Sequence, residues 1–516
     1  MEALSANIAT RLAEAARVHP ERLALVESKR GRRRALTYGE LAHRIASLAQ
    51  VFRARGVGPG ERVLILVPMS VDLYLVLLAV LHAGGVGVFV DAWAGWRRVD
   101  QAVRRTKPRL FVGSLRAHAL RLVSPAVRAI PSRMLVPQGT SDPPGLAPEP
   151  LDAGAPALVT FTTGSTGSPK ASLRTHGFLW DQHVVLSKYL GPGEGAVDMP
   201  TLPIFVLNNL ASGATSVLPN FDARRPAEIE PRRIFEQIAS ERVTSVTASP
   251  AFFERLLSAA RRLALPRAFT GGAPVLPPLA RRLDEGIEGL AYVVYGSTEA
   301  EPISLITARD LRRAAAESGR EGICVGVPVA EIRVKIARAS AEEIRLGPEG
   351  WAGIECAPGE AGEIVVSGPQ VQTAYFDDAT SDRGSKIEDG ALVWHRTGDG
   401  GRVDERGRLW LLGRVGARVR AAGRTWWSLP AEVRAMEMEG VRHAAYLGDA
   451  SRGAILCLEG SVTMAPDALL AQVRGRLAPY PVSEVRVLEK IPRDPRHASK
   501  TDLRALRALL RLPASP

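Results

Sequence analysis

Short apolar runs of strand character alternate with amphipathic segments through the first two-thirds of the chain. The segments at 231–241 and 251–265 repeat their apolar residues at the spacing of one helical face. Alternation of this kind predicts parallel sheets that are covered by helices. The strand-like runs lie at 62–68, 85–90, 109–113, 215–219, 243–250 and 291–296.

The pattern restarts in a smaller unit near the C-terminus. Strand-like runs at 444–449 and 454–460 are followed by a helical segment at 465–478. We therefore predict an α/β protein with two domains. The large N-terminal domain, residues 1–413, consists of parallel-sheet α/β subdomains, and the small C-terminal domain, residues 414–516, is α+β.

The composition is that of a globular protein. Of 516 residues, 46% are hydrophobic and 23% are charged, which is enough for a large core and more than one domain. The net charge of +13 comes from arginines spread along the sequence, without the dense basic runs or interleaved aromatics of a nucleic-acid groove. We therefore predict no nucleic-acid partner, whereas peripheral contact with a membrane surface stays open.

Cysteine spacing indicates the redox compartment of the protein, and one apolar stretch raises the question of membrane insertion. Cys324, Cys356 and Cys457 lie far apart and form no C-x-x-C motif, which indicates a reduced, cytoplasmic protein without a cysteine metal site. The apolar stretch 73–90 is close to the minimum length of a membrane-spanning helix. Its glycines predict instead a helix followed by a short strand of a buried α/β core, so we expect no transmembrane segment.

The stretch 158–170, LVTFTTGSTGSPK, has the chemistry of a phosphate loop. A strand-like run leads into glycines and hydroxyl residues whose N–H and O–H groups can donate to phosphate oxygens, although such a loop can also be an ordinary turn. It is not a Walker A loop, because Pro169 and Ala171 replace the second glycine and the hydroxyl residue of that motif. The candidate phosphate-binding residues are Thr162, Thr163, Gly164, Ser165, Thr166, Gly167 and Lys170.

The identity of Lys170 strengthens the phosphate-loop interpretation. The chain contains eight lysines against 59 arginines, so a basic residue at this position would by default be arginine. A lysine therefore indicates a requirement for that side chain.

Four downstream segments carry further candidate chemistry, although each could be an ordinary turn, core or surface feature. An aromatic ring can cover a flat base, a carboxylate beside a hydroxyl can hold Mg²⁺, and a carboxylate can accept hydrogen bonds from vicinal hydroxyls. Asp399 is expected in a Thr-Gly-Asp turn, and Lys500 in a turn at a helix start. The candidates are Gly272 and Ala273, then Tyr295, Gly296, Thr298 and Glu299, then Asp399 and Arg414, and finally Lys500.

The order of these motifs resembles the adenylate-forming superfamily of acyl-CoA synthetases, luciferases and adenylation domains, over essentially the whole chain. TFTTGSTGSPK, GGAP, YGSTE, GEIVVSG, RTGD, a Gly-Arg pair and a C-terminal lysine follow one another as they do in that superfamily. The segments 198–231, 248–250 and 492–500 are most similar to the olefin-biosynthesis β-lactone synthetases.

The resemblance implies a role for each candidate and a mobile C-terminal domain that carries the catalytic lysine. The loop from Thr162 to Lys170 would hold the β- and γ-phosphates of ATP. Tyr295, Gly272 and Ala273 would enclose adenine, with Gly296 in the same ATP site. Thr298 and Glu299 would serve Mg²⁺, and Asp399 and Arg414 would bind the ribose. Lys500 would contact the substrate carboxylate and the α-phosphate.

The implied reaction is ATP-dependent conversion of a fatty-acid-type carboxylic acid to acyl-AMP, with two candidate products. One is a β-lactone, formed when a β-hydroxy acid closes on itself, and the other is an acyl-CoA thioester with CoA as acceptor. Two departures from acyl-CoA synthetases bear on this choice: Val415-Gly416 stands where a charged hinge residue is usual, and Val206 follows Phe205 where an aromatic or histidine often stands. A non-catalytic nucleotide-binding homologue is the remaining alternative.

Overall fold

The computed structural model describes residues 6–29, 31–90, 95–136, 147–162, 170–193, 195–222, 228–260, 262–317, 321–462, 464–493 and 500–513. Its strands are β1 Leu23–Lys29, β2 Arg32–Thr37, β3 Arg62–Leu66, β4 Val86–Val90, β5 Leu110–Gly113, β6 Ser132–Leu135, β7 Pro156–Thr162, β8 Lys170–Thr175, β9 Val197–Pro200, β10 Thr215–Leu218, β11 Ser245–Ala248, β12 Arg267–Gly271, β13 Leu290–Ser297, β14 Ala300–Thr307, β15 Ile323–Pro328, β16 Arg333–Ala337, β17 Gly362–Ser367, β18 Lys386–Asp389, β19 Leu392–Val403, β20 Leu409–Arg414, β21 Val419–Ala421, β22 Arg424–Trp426, β23 Val441–Asp449, β24 Gly453–Gly460 and β25 Glu484–Leu488.

Helices connect most of these strands. They are α1 Ala9–Val18, α2 Tyr38–Arg53, α3 Val71–His82, α4 Trp96–Thr106, α5 Leu115–His118, α6 Leu120–Val123, α7 Pro125–Arg128, α8 His176–Leu190, α9 Pro203–Ala211, α10 Pro231–Ser240, α11 Pro250–Ala259, α12 Pro277–Gly286, α13 Ala308–Glu317, α14 Ala379–Ser385, α15 Ser428–Ala435, α16 Pro466–Leu477 and α17 Leu503–Leu509.

A six-stranded sheet carries the strand that leads into the candidate phosphate loop. Its order is β6-β5-β3-β4-β7-β8, and all neighbours are parallel except β7 and β8, which are antiparallel. Helix α3 is buried at almost every position from Val71 to His82, and β4 follows it. This confirms the prediction that the apolar stretch 73–90 is a core helix and strand. Across the described residues, no helix is both long and apolar enough to cross a bilayer.

The larger sheet combines a parallel part with an antiparallel part. Strands β13, β12, β11, β9, β10 and β1 are parallel neighbours, as the alternating pattern predicts. Beyond β13 the sheet continues through β14, β15, β20, β19, β17 and β16 by antiparallel pairing, and β18 pairs with β19. The predicted α/β class is confirmed, with this antiparallel extension as an addition.

The C-terminal part forms a separate three-stranded sheet of order β23-β24-β25, preceded by the hairpin β21-β22. Its core includes Tyr446, Leu456 and Val473. Helix α15 also contacts the large sheet, because Leu429 and Val433 belong to the main core cluster. The predicted domain boundary between residues 413 and 414 stays a prediction.

Candidate active site

Apart from Lys500, the described candidate residues lie on strands of the two large sheets or in the first residues after a strand end. Lys170 is the first residue of β8 and pairs with Thr162 of β7. Thr163, Gly164, Ser165, Thr166 and Gly167 lie outside the described residues, as does the side chain of Thr162. The phosphate-binding role of this loop therefore stays a prediction.

Lys170 is held among polar groups from distant segments. Its Nζ donates to Ser385 Oγ at 2.8 Å and lies 5.2 Å from the centre of the Tyr375 ring. Burial lowers the pKa of Lys170, and the nearby carboxylates of Glu299 and Asp378 partly offset that effect. Lys170 thus carries a half-buried positive charge at the base of the candidate loop, next to the carboxylate that we expect at the metal.

Glu299 is fixed from three sides. The Tyr375 hydroxyl donates to its Oε1 at 3.0 Å, its backbone N–H donates to Ser297 Oγ at 3.2 Å, and its carbonyl accepts from the Gln372 N–H at 2.7 Å. The neighbouring Thr298 carbonyl accepts from Arg174 at 3.1 Å. Glu299 is therefore positioned by contacts that do not depend on a metal.

A Mg²⁺ site at Glu299 fits the donors that are present. Within the described parts of the chain there is no group of three or more His, Cys, Asp or Glu side chains that could hold a metal by themselves. Mg²⁺ is commonly held by one or two carboxylates together with substrate phosphates. The single carboxylate of Glu299, near the half-buried Lys170, suits a Mg²⁺ ion that is also bound by substrate phosphates.

Asp399 forms a second cluster with Tyr295 and Arg414. The Tyr295 hydroxyl donates to Asp399 Oδ2 at 3.0 Å, and Arg414 Nη1 donates to Oδ1 at 2.7 Å. Tyr295 is only 8% exposed, and burial together with the Asp399 charge raises its pKa well above the usual value, so the hydroxyl stays protonated. Each carboxylate oxygen can accept a further hydrogen bond, which leaves Asp399 able to bind vicinal hydroxyls.

The segment around Asp399 is a strand, so the predicted Thr-Gly-Asp turn is wrong. Thr397, Gly398 and Asp399 lie within β19, which pairs with β17 and β20. Gly398 has a φ of +70°, and the ladder shifts register between Gly400 and Gly401. These local irregularities explain why the segment has turn-like residues although it belongs to a sheet.

A buried ion pair supports this strand. Arg396 donates through Nε and Nη2 to Glu363 at 3.1 and 2.7 Å, and both side chains are nearly inaccessible. The other oxygen of Glu363 accepts from the Gly398 N–H at 3.2 Å. The pair therefore fixes the backbone directly before Asp399.

Backbone packing explains why glycines occur in the GGAP motif at 271–274 and in the YGSTE motif at 295–299. A Cβ on Gly271 would lie 2.6 Å from the Val294 carbonyl oxygen, and one on Gly296 would lie 2.8 Å from that of Ala300. Gly272 has a φ of +83°, which disfavours other residues. Gly272 and Ala273 follow the end of β12, beside the strand that carries Tyr295. Their contact with adenine stays a prediction.

A buried lysine lies at this site that sequence reasoning missed. Lys386 is 7% exposed, its Nζ donates to the Gln372 carbonyl, and it lies 3.2 Å from His395 Nδ1. Both lysines lie near the Tyr375 ring, with Lys386 Nζ 5.3 Å and Lys170 Nζ 5.2 Å from its centre. Burial lowers the pKa of Lys386 to about 8 despite the Glu299 charge. The scarcity of lysine that singled out Lys170 could have found Lys386 too.

Lys500 is exposed and lies three residues before the start of α17, near the end of the C-terminal part. The preceding residues 494–499 lie outside the described part of the chain. The adjacent Thr501 hydroxyl lies 3.1 Å from His443 Nε2, which ties this end to β23. The predicted catalytic role of Lys500 stays a prediction.

The chain is similar in sequence to known enzymes. A family model described as AMP-binding enzyme matches residues 12–376. An olefin beta-lactone synthetase of Stenotrophomonas maltophilia is 32% identical, over 96% of this chain and 96% of the relative. A second olefin beta-lactone synthetase, of Xanthomonas campestris pv. campestris, is 33% identical over 78% of this chain and 77% of the relative.

The fold also matches solved structures. O-succinylbenzoate coenzyme A synthetase from Bacillus subtilis, in complex with ATP and magnesium ion, superposes with a TM-score of 0.79. The match covers 97% of this chain and 99% of that protein at 22% sequence identity. At this identity the likeness concerns the fold.

Proposed function

Since the chain belongs to the AMP-binding enzyme family and is an AMP-forming adenylating ligase, we propose that it activates a fatty-acid-type carboxylic acid and closes it to a β-lactone. In the first step the acid and ATP give acyl-AMP and pyrophosphate. In the second, the β-hydroxyl oxygen of the same acid attacks the acyl carbonyl, AMP leaves, and the hydroxyl proton is released. The product is a four-membered lactone.

Adenylation overcomes the poor reactivity of a carboxylate. A nucleophile that attacks a free carboxylate would have to displace oxide, whereas attack on acyl-AMP releases AMP. The first step requires two anions to approach, so the site must neutralise charge and hold both in line. Lys170 and the residues that precede it would bind the outer phosphates. Asp399, already oriented by Arg414 and Tyr295, would accept hydrogen bonds from the ribose hydroxyls.

The site must also neutralise the negative charge that develops around the α-phosphate during the first step. Mg²⁺ held at Glu299 would neutralise negative charge on the phosphate oxygens when it is bound. Tyr375 holds the Glu299 carboxylate in position at 3.0 Å. Lys500 would approach the α-phosphate from the small C-terminal domain, which implies closure of that domain for the first step.

The observation that carries the lactone product is the similarity to two olefin beta-lactone synthetases, which for one of them covers 96% of both chains. Two features of the chain support it. A 3-10 turn, Val415–Ala417, follows Arg414 without a charged hinge residue, and Val206 is fully buried in α9 where many acyl-CoA synthetases carry an aromatic or histidine. Intramolecular attack needs no second substrate, because the nucleophile is already held beside the carbonyl.

A fatty acyl-CoA ligase is the second candidate. The superposable Bacillus subtilis structure is that of a coenzyme A synthetase, so the same fold can place a thiol acceptor at an acyl-adenylate. In this case CoA would attack the acyl carbonyl and release AMP, and the β-hydroxyl would remain free.

The deciding experiment supplies ATP, Mg²⁺ and a long-chain β-hydroxy acid, with and without CoA, and follows products by NMR and mass spectrometry. We expect lactone and AMP in both tubes. The matched acid without a β-hydroxyl should accumulate acyl-AMP and give no lactone. A thioester that requires CoA, with no lactone in either tube, would refute the lactone proposal.

A separate assay tests the first step alone. Exchange of labelled pyrophosphate into ATP should depend on the added acid. No exchange with any acid of a broad series would instead support a non-catalytic nucleotide-binding homologue.

A further inference from the structure

The segment 96–136 concentrates positive charge and exposed apolar surface. It contains ten arginines and lysines but a single acidic residue, Asp100. That carboxylate is buried, and it accepts hydrogen bonds from Ser124 at 2.6 Å and Arg104 at 2.7 Å. Nine of the protein's thirteen net positive charges therefore come from this short part of the chain.

Exposed large hydrophobic side chains gather in the same segment. Of the twelve that the described residues contain, five lie between 96 and 136. Four of them belong to the edge of the six-stranded sheet and the helices beside it: Leu115 at 77% exposure, Leu122 at 79%, Val123 at 51% and Leu135 at 52%.

The pairing of β5 with β6 places Leu135 on the side of the sheet that carries α5, the helix of Leu115. Strand β6 is the edge strand, and its Arg133 and Leu135 pair with Phe111 and Gly113 of β5. Paired residues of neighbouring parallel strands project to the same side of a sheet. Phe111 packs against His118 of α5 with ring centres 4.4 Å apart, so α5 lies on the side to which Leu135 projects.

Arginines lie on the same short elements as these apolar residues, Arg116 on α5, Arg121 on α6 and Arg133 on β6, and Arg128 lies on α7, which follows α6. No acidic residue occurs between Ser114 and Val136. Arg128 donates to the carbonyls of Arg121 and Leu122, which fixes its guanidinium on α6. We define the basic apolar patch as the exposed Leu115, Leu122, Val123 and Leu135 together with Arg116, Arg121, Arg128 and Arg133.

We propose that the basic apolar patch docks the protein on the surface of an anionic phospholipid bilayer. Exposed aliphatic side chains insert at the boundary between headgroups and acyl chains, while arginines contact the phosphate groups. The proposal does not depend on the lactone-forming function, although a bilayer would present fatty-acid-type substrates to the enzyme.

Two simpler explanations account for only part of the patch. Arginine on β6 can prevent edge-to-edge pairing of sheets, but this does not explain exposed leucines on α5 and α6. A surface for single-stranded nucleic acid would explain the charge but typically offers aromatic rings for stacking, and the patch contains none. A surface for duplex nucleic acid would explain the arginines, which contact phosphates, but not the exposed aliphatic side chains. Aliphatic and basic groups together match the chemistry of an anionic lipid surface.

The test is flotation of the full-length protein with two kinds of vesicle, phosphatidylcholine alone and an equimolar mixture with phosphatidylglycerol. We expect binding to the mixed vesicles at low salt, weaker binding at high salt because exposed charges are screened, and little binding to the neutral vesicles.

Two variants separate the contributions of charge and apolar surface. The charge variant, Arg116→Gln, Arg121→Gln and Arg133→Gln, should bind mixed vesicles more weakly by roughly fivefold for each arginine lost. The apolar variant, Leu115→Ser with Leu122→Ser, should bind more weakly but keep its dependence on salt.

The matched control is Leu290→Ser with Arg424→Gln, which changes an exposed leucine and an exposed arginine outside the patch. It should bind as the unmodified protein does. Circular dichroism and pyrophosphate exchange would confirm that all variants remain folded. Equal binding by the charge variant, absence of binding to anionic vesicles, or binding of duplex DNA or RNA in preference to vesicles would overturn the proposal.

Discussion

Replacement of Lys386 by methionine should change how the stability of the protein depends on pH. Lys386 is 7% exposed, and its pKa is about 8 in the folded protein against 10.5 for an unperturbed lysine. The folded state therefore loses its proton at lower pH than the unfolded state does. Between these two values the unfolded chain binds more protons, so the free energy of unfolding rises with pH.

The size of the effect follows from the two pKa values. Below about pH 8 the lysine is charged in both states, and the cost of burying the charge is fully present. From about pH 7 to about pH 9.5 the relief of that cost should raise the free energy of unfolding of the unmodified protein by about 2 kcal/mol relative to Lys386→Met. Loss of the hydrogen bond to the Gln372 carbonyl shifts the free energy of unfolding of the variant by about 1–3 kcal/mol at all pH values. It therefore does not change how the difference between the two proteins depends on pH.

The assay is urea unfolding of both proteins across this pH range, with circular dichroism as the readout. Lys490→Met, which removes an exposed lysine, is the matched control and should follow the unmodified protein. If the difference in unfolding free energy between the unmodified protein and Lys386→Met stayed constant across this pH range, the inference that burial lowers the pKa of Lys386 would be refuted.

Four other variants test the site. Lys500→Ala should reduce acyl-AMP formation by on the order of 10² or more with little change in ATP affinity; near-normal formation would refute the role. Glu299→Gln should lose activity that extra Mg²⁺ partly restores, and no change in the Mg²⁺ requirement would exclude a metal role. Asp399→Ala should weaken ATP binding by roughly 1.5–3 kcal/mol for each lost ribose hydrogen bond, which calorimetry can measure; unchanged affinity would rule out the ribose contact. Glu363→Gln should lower the free energy of unfolding by about 3–5 kcal/mol because Arg396 would remain buried without its charged partner; unfolding at unchanged urea would contradict this.

Most of the architecture could be predicted from the sequence because apolar periodicity is a local signal. The strand at 158–162, the helix and strand within 73–90 and the C-terminal strands near 444–449 and 454–460 all appear in the fold. Lys170, Glu299 and Asp399 could be chosen as candidates because their chemistry depends on residue type within short motifs. Their individual roles stay predictions.

Tertiary structure decided which distant residues meet at these candidates. Tyr375 lies 76 positions from Glu299 along the chain, and Ser385 lies 215 positions from Lys170, yet each pair is joined by a hydrogen bond. It also decided that Asp399 belongs to a strand, since pairing with β17 and β20 outweighs the turn preference of Thr-Gly-Asp. Contacts of this kind depend on how β-sheets pack together, and the pattern of neighbouring residues along the chain carries no signal for them.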